Sequence, residues 1–246
     1  MDFQIFQWDW IWAIAKSLNC ESIILAGHDC GFMLSSRIVL YYPDFVTHLI
    51  LLGVPYFPPS QQHISLPTLV KLQPSFQYML QFCSGDGEIE KHTQTRERIW
   101  NFLNPLFGGL TQYGKKAITA AKGIDFELSS QLSLSKIFEE EEMMEYYIDE
   151  FSRTGLRCNL YRMWDQNSRD ELFIAQGLEG GIIKCPVLSV RPTEDFTITA
   201  QVVEAMKSYV PHLQTEDIPS GHWVMLSHSQ RLNEILEWLR QQEITV

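Results

Sequence analysis

The sequence predicts an α/β protein: a mostly parallel sheet flanked by helices and interrupted by a long helical insertion. Three observations carry this. A short apolar run, Ser22 to Ala26 (SIILA), leads into a glycine-flanked turn at Gly27 to Gly31, and helical spacing follows over residues 32 to 42. A second apolar run, Val46 to Leu52, completes a strand–helix–strand unit. Continuous apolar strands of this kind read as a parallel sheet covered on both faces, and their separation suits a crossover through one helix. Residues 58 to 178 then carry helical periodicity without a convincing strand, and strand and helix alternate again afterwards.

Taken in order, residues 3 to 18 form a predicted helix with Phe3, Phe6, Trp10, Ala13, Ile14 and Leu18 on one broad face, and Asn19 stops it. Pro43 and Asp44 end the helix that follows the turn. Pro55, Pro58 and Pro59 mark the departure into the insertion. Within it, Tyr146 to Phe151 sit in a helix whose start carries Glu139 to Glu142, acids suited to the positive end of a helix dipole. Gly155 stops that helix, and Tyr146 and Tyr147 are expected to be packing residues. Beyond Gly180-Gly181, Val187 to Val190 is a third strand, Thr199 to Tyr209 a helix, and Thr215 to Ile218 a weaker fourth strand. A closing helix over 226 to 241 places Leu232, Ile235, Leu236 and Leu239 at its apolar positions. The expected division is a first core segment (1–57), a helical lid (58–178) and a second core segment (179–246).

The net charge of -11 disfavours a phosphate-neutralising nucleic-acid surface and an anionic membrane surface. The five cysteines are scattered and odd in number, without C-x-x-C spacing, which speaks against a zinc site or a disulfide framework and for a reducing compartment. No secretory pattern opens the chain, and no run approaches the ~20 apolar residues of a membrane span. A cytoplasmic protein is expected.

The strongest motif is Gly27-His28-Asp29-Cys30-Gly31, between a buried strand and a helix. It matches the G-x-nucleophile-x-G turn, with aspartate in the nucleophile's place. Its bland reading is a glycine-rich turn with an N-capping aspartate. Gly221-His222-Trp223 follows the last strand, and Asp195 lies in the loop after the third, with Glu194 as its rival. Nucleophile, acid and histidine then occur in the chain order of a catalytic triad. Taken singly, His222 reads as structural and Asp195 as a solvated loop charge.

The set GHDCG, EDF (Glu194 to Phe196) and GHW resembles that of soluble epoxide hydrolases within the α/β-hydrolase superfamily, over essentially the whole chain. The resemblance implies an α/β-hydrolase fold with Asp29 as nucleophile, His222 as base and Asp195 as its orienting acid. It also implies two lid tyrosines that hydrogen-bond the epoxide oxygen; Tyr78 and Tyr161 match them by context. The backbone N–H of Cys30 is the expected oxyanion donor, and His28 and Trp223 are expected to border the substrate. A small apolar epoxide is the implied substrate, with no cofactor and no metal ion.

The chain departs from the family in two places. Cys30 stands where tryptophan is frequent, and no His-Gly-x-Pro precedes Gly27. The family's preceding strands and second oxyanion donor are therefore expected to be missing. On that expectation strand 22–26 becomes an edge open to self-association, and ester hydrolysis slows by roughly 10² to 10³. Two rival functions share these residues: a non-catalytic descendant that binds a ligand or partner, and a dehalogenase using the same aspartate.

Overall fold

The computed structural model describes residues 3–60, 62–119, 122–138, 140–156, 168, 169, 172, 178–195 and 198–243. Two compact units result, one formed by residues 1–62 with 170–246 and one by residues 63–169.

The first unit opens with α1 (Phe3–Ser17), then β1 (Ile23–His28), α2 (Gly31–Tyr41) and β2 (Val46–Leu52). β1 and β2 pair in parallel, with Leu25 opposite Leu49 and His28 opposite Leu52. The chain returns to this unit with β5 (Val187–Pro192), α9 (Ala200–Ala205), β6 (Leu213–Ile218), α10 (Val224–Ser227) and α11 (Ser229–Glu243); the elements numbered between belong to the second unit. The four strands form one parallel sheet in the order β1-β2-β5-β6.

Side chains alternate across a strand, so the apolar run of β2 serves two cores. Leu49 and Leu51 are fully buried on one face with Ile38, Val39, Val187 and Met206. Ile50 and Leu52 join Leu188, Val190, Ile218, Val224, Leu232 and Ile235 on the other. Each fully buried aliphatic side chain of this size contributes about 1.5–3 kcal/mol. β1 is treated differently. Ile23 and Leu25 pack against the first core, but Ile24 is 46% exposed and Ala26 is exposed as well. β1 is an edge of the described sheet.

Among the described side chains of α1, from Trp10 on, it is not the expected face that packs. Ala15 is buried and Ile11 lies partly buried against the core, one turn apart. Trp10, Ile14 and Leu18 are 68%, 57% and 68% exposed, and Ala13 is exposed too. The helix is apolar on more than one side, so composition left the choice open. The small Ala15 lets the helix backbone approach the sheet, where the indole of Trp10 would hold it away.

The second unit is mainly helical: α3 (Leu66–Leu72), α4 (Met79–Phe82), α5 (Glu88–Lys91), α6 (Arg96–Leu106), α7 (Phe126–Ser129) and α8 (Glu141–Thr154). It also contains two strands where none was expected, β3 (Ile118–Thr119) and β4 (Gly123–Ile124), paired antiparallel. Two residues each are too few for a periodicity to register. The Gln81 side chain fastens this hairpin, donating from Nε2 to Ile124 O at 3.0 Å and accepting from Ile124 N–H at 2.7 Å. α8 begins at Glu141 after an N-cap at Glu140, and Gly155, with φ of 76°, terminates it. Tyr147 packs beside Phe107 and Phe138 as expected, whereas Tyr146 is 64% exposed. Helical rotation between adjacent residues turns the Tyr146 ring outward, where it sits edge-on to Tyr147 at 5.9 Å.

The first compact unit extends to residue 62. Arg37, buried in α2, donates to Phe57 O at 3.0 Å, and Tyr56 donates to Gly181 O at 2.5 Å. These bonds tie both ends of the insertion's connection to the sheet unit.

Candidate active site

The turn after β1 is tight, and glycine at position 27 is what permits it. A Cβ on Gly27 would press into Ser35 Oγ and lie 2.7 Å from Gly31 O. α2 therefore starts directly against the end of the strand. Asp29 takes a left-handed conformation, φ 50°, which non-glycine residues seldom adopt. A strained aspartate at a strand-to-helix turn matches the geometry that presents a nucleophile. Gly31 has a different standing: a Cβ there would meet nothing within 4 Å.

The acid and the histidine arrive from the far side of the sheet. β5 ends at Pro192 and β6 at Ile218, and backbone bonds knit the loops that follow. Thr193 N–H donates to Ile218 O at 2.9 Å, and Glu194 N–H to Ser220 O at 3.0 Å. Asp195 is thereby buried, 8% exposed, while Glu194 stays exposed. That separates the two rivals, and Asp195 is the one that reaches the histidine.

Asp29, Asp195 and His222 converge within the first unit. His222 Nε2 lies 3.0 Å from Asp29 Oδ2, and His222 Nδ1 lies 2.8 Å from Asp195 Oδ2. The N–H of Cys30 donates to Asp29 Oδ1 at 2.5 Å. The two carboxylate oxygens are thus differentiated, one on a backbone donor and one on the imidazole. His28 and Trp223, expected to border the substrate, lie ring to ring with His222 at centroid distances of 4.6 and 5.3 Å.

The electrostatics follow from the geometry. Burial alone would push the Asp29 carboxyl up, but the hydrogen bond and charge of His222, with the Cys30 N–H, outweigh it. Its pKa falls well below the usual carboxylate range. Burial likewise opposes charge on His222, yet Asp195 and Asp29 together raise its pKa to about 9. The resting pair is a carboxylate facing an imidazolium. Among the described residues no group of three His, Cys, Asp or Glu side chains is placed to hold a metal ion.

Tyr78 belongs to the second unit, at the N-terminal end of α4. Its ring sits edge-on to Phe82 at 5.8 Å, and Leu66, Val70 and Met79 form the small core it joins. Tyr161 lies outside the described residues, as does Phe196 of the EDF motif. The contact of the His28 ring with the histidine loop had no local sequence signal, because it spans 194 residues.

No family profile matches the chain. Individual proteins do. Epoxide hydrolase srdG of Neurospora crassa is 31% identical over 228 residues, which cover 90% of this chain and 66% of the fungal protein. Bifunctional epoxide hydrolase 2 of Sus scrofa is 28% identical over 229 residues, 91% of this chain but 40% of that protein. Among solved structures, epoxide hydrolase VrEH1 of Vigna radiata superposes with a TM-score of 0.71 at 20% identity, covering 94% of this chain and 73% of its own. Epoxide hydrolase A of Mycobacterium thermoresistibile gives 0.69 at 23% identity, covering 94% of this chain and 73% of its own. The fold is that of an α/β-hydrolase. The curated relatives that it resembles are epoxide hydrolases, and the chain spans 66% or less of their length.

Proposed function

We propose that the chain opens an epoxide to a vicinal diol through an aspartyl ester on Asp29. The observation that carries this is the line Asp29 Oδ2, His222, Asp195 Oδ2, with contacts of 3.0 and 2.8 Å.

In the first half-reaction Asp29 Oδ2 attacks an epoxide carbon. The ring C–O bond breaks, and the epoxide oxygen leaves as an alkoxide that takes a proton from Tyr78 or Tyr161. A phenol with a pKa near ~10 remains a donor at neutral pH. Ester formation removes the negative charge of Asp29. Its contribution to the raised His222 pKa is lost, and the imidazolium can release its proton to restore the phenol through solvent. His222 is then a neutral base held by Asp195.

In the second half-reaction water attacks Cγ of the ester while His222 Nε2 takes its proton. Negative charge develops on Oδ1, where the Cys30 N–H already donates. The Cγ–Oδ2 bond breaks, the diol takes that proton back from His222, and His222 then takes the remaining proton of the new acid, which restores the imidazolium and the carboxylate, with one oxygen from water. The sum is epoxide plus water to diol.

Isotope labelling tests this chemistry. In a single turnover in ¹⁸O-water, the label is expected in the Asp29 carboxylate and not in the diol. Label in the diol instead would mean direct attack by water and would remove the ester from the mechanism. Turnover of an aryl epoxide is expected to disappear in Asp29→Ala, measured by diol formation.

A further inference from the structure

We propose that His28 is a positioning residue whose Nε2–H, donating to the backbone carbonyl of His222, clasps the histidine loop onto the nucleophile turn. The inference rests on the Asp29–His222 reading given above and adds a part to it.

Several independent contacts support the clasp. His28 Nε2 lies 3.1 Å from His222 O. A carbonyl oxygen only accepts, so that nitrogen carries the hydrogen. The His28 ring faces the His222 ring at 4.6 Å, tilted by 49°, and the Trp223 ring at 5.4 Å, tilted by 43°. Behind it stands Gly53 at the end of β2, where a Cβ would lie 3.7 Å from His28 Cδ2 and Nε2. The ring is therefore enclosed by the backbone after β2 on one side and by the histidine loop on the other. Burial, and then the charge of His222, depress the basicity of His28. The clasp thus stays neutral and does not compete with His222 for the proton.

No contact of His28 with Asp29 Oδ1 or Oδ2 is needed. One turn carries the clasp at position 28 and the nucleophile at position 29. Fixing the histidine loop at its backbone sets the separation between Nε2 of His222 and the carboxylate that it must leave and revisit. Misplacing reacting groups by about 1 Å can cost ~10² in rate, so a loop without this tether loses turnover more than binding.

Two substitutions in the full chain separate positioning from mere filling of space. His28→Gln keeps an N–H donor on a side chain of similar reach, and His28→Leu fills the volume without one. His28→Leu is expected to lower kcat on the order of tenfold to a hundredfold with KM little changed. It is also expected to shift and broaden the His222 ring-nitrogen resonances in ¹⁵N spectra, and His28→Gln is expected to restore both. A folded His28→Leu chain with His222 resonances unmoved overturns the proposal. So does a folded His28→Gln chain that behaves as leucine does. If His28→Leu fails to fold, the unaltered chain decides: a coupling across the hydrogen bond from His28 Nε2 to the His222 carbonyl carbon supports the clasp, and a Nε2 without a proton overturns it. These resonances do not depend on turnover. An unaltered chain that makes no diol yet keeps the coupling defeats the proposed function and leaves the clasp standing.

Discussion

At the scale of single residues, the Asp29–His222 pair is the charge on which everything turns. The imidazole pKa of about 9 has contributions from both Asp195 and Asp29. Asp29→Asn removes one of them while keeping the shape, and it imitates the uncharged ester. The His222 titration followed by NMR is expected to move down from about 9 in that variant. An unchanged midpoint would show that Asp29 does not govern the base. On the proposed mechanism a second substitution, His222→Gln, keeps the ester-forming oxygen but removes the base for its hydrolysis. Incubation with an epoxide is then expected to add the mass of the epoxide to the peptide containing Asp29. Sequence order picked out Asp29, Asp195 and His222, because a nucleophile turn and two loop ends can be read locally. It could not choose between Asp195 and Glu194 by anything but resemblance. The choice is made by burial of one and exposure of the other, a property of two loops joined across β5 and β6.

At the scale of elements, the turn between β1 and α2 makes a contrast between its two glycines. Gly27→Ala forces a methyl group into Ser35 and Gly31. Overpacking of this kind costs about 1–3 kcal/mol, and the urea midpoint is expected to fall accordingly. Gly31→Ala has open space at the first position of a helix. It is expected to be neutral or to stabilise by up to about 1 kcal/mol. In the second unit, Asn104 is fully buried, donates to Ser133 O at 2.9 Å and accepts from Ser135 N–H at 2.9 Å. Asn104→Leu leaves both backbone groups without that partner and is expected to cost about 1–3 kcal/mol for each. The edge strand β1 exposes Ile24 and pairs with β2 alone among the described strands. We propose that any self-association of the chain uses this edge; Ile24→Lys, with a charge on the edge, is then expected to reduce association in sedimentation velocity.

At the scale of the whole molecule, the same charge pair couples the site to stability. His222 has its basicity raised on folding, so its contribution is complete below its ordinary value of 6.5 and is lost as pH rises through about 9. Asp29 has its acidity increased, so its contribution is present above the ordinary value of 3.8 and is lost as pH falls below it. The pair therefore stabilises most between pH 3.8 and 6.5. The difference in urea midpoint between the unaltered chain and His222→Gln is expected to be greatest in that window and to shrink above pH 9. A difference that is flat with pH would show that the ion pair forms no more readily folded than unfolded. The chain is long enough to build both cores of the sheet, and no described helix is long and apolar enough to cross a membrane.

The sequence by itself determined the four strands of the parallel sheet, the tight turn at Gly27 and the chain order of Asp29, Asp195 and His222. Each of these is a local matter: β-branched runs, a missing Cβ, positions along the chain. Only the tertiary structure decided which side of α1 packs, that Tyr146 faces outward, and that His28 turns its nitrogen to a carbonyl 194 residues away. Packing selects among faces and rotamers that are nearly equal in isolation, and that selection exists only once the sheet has brought distant segments together.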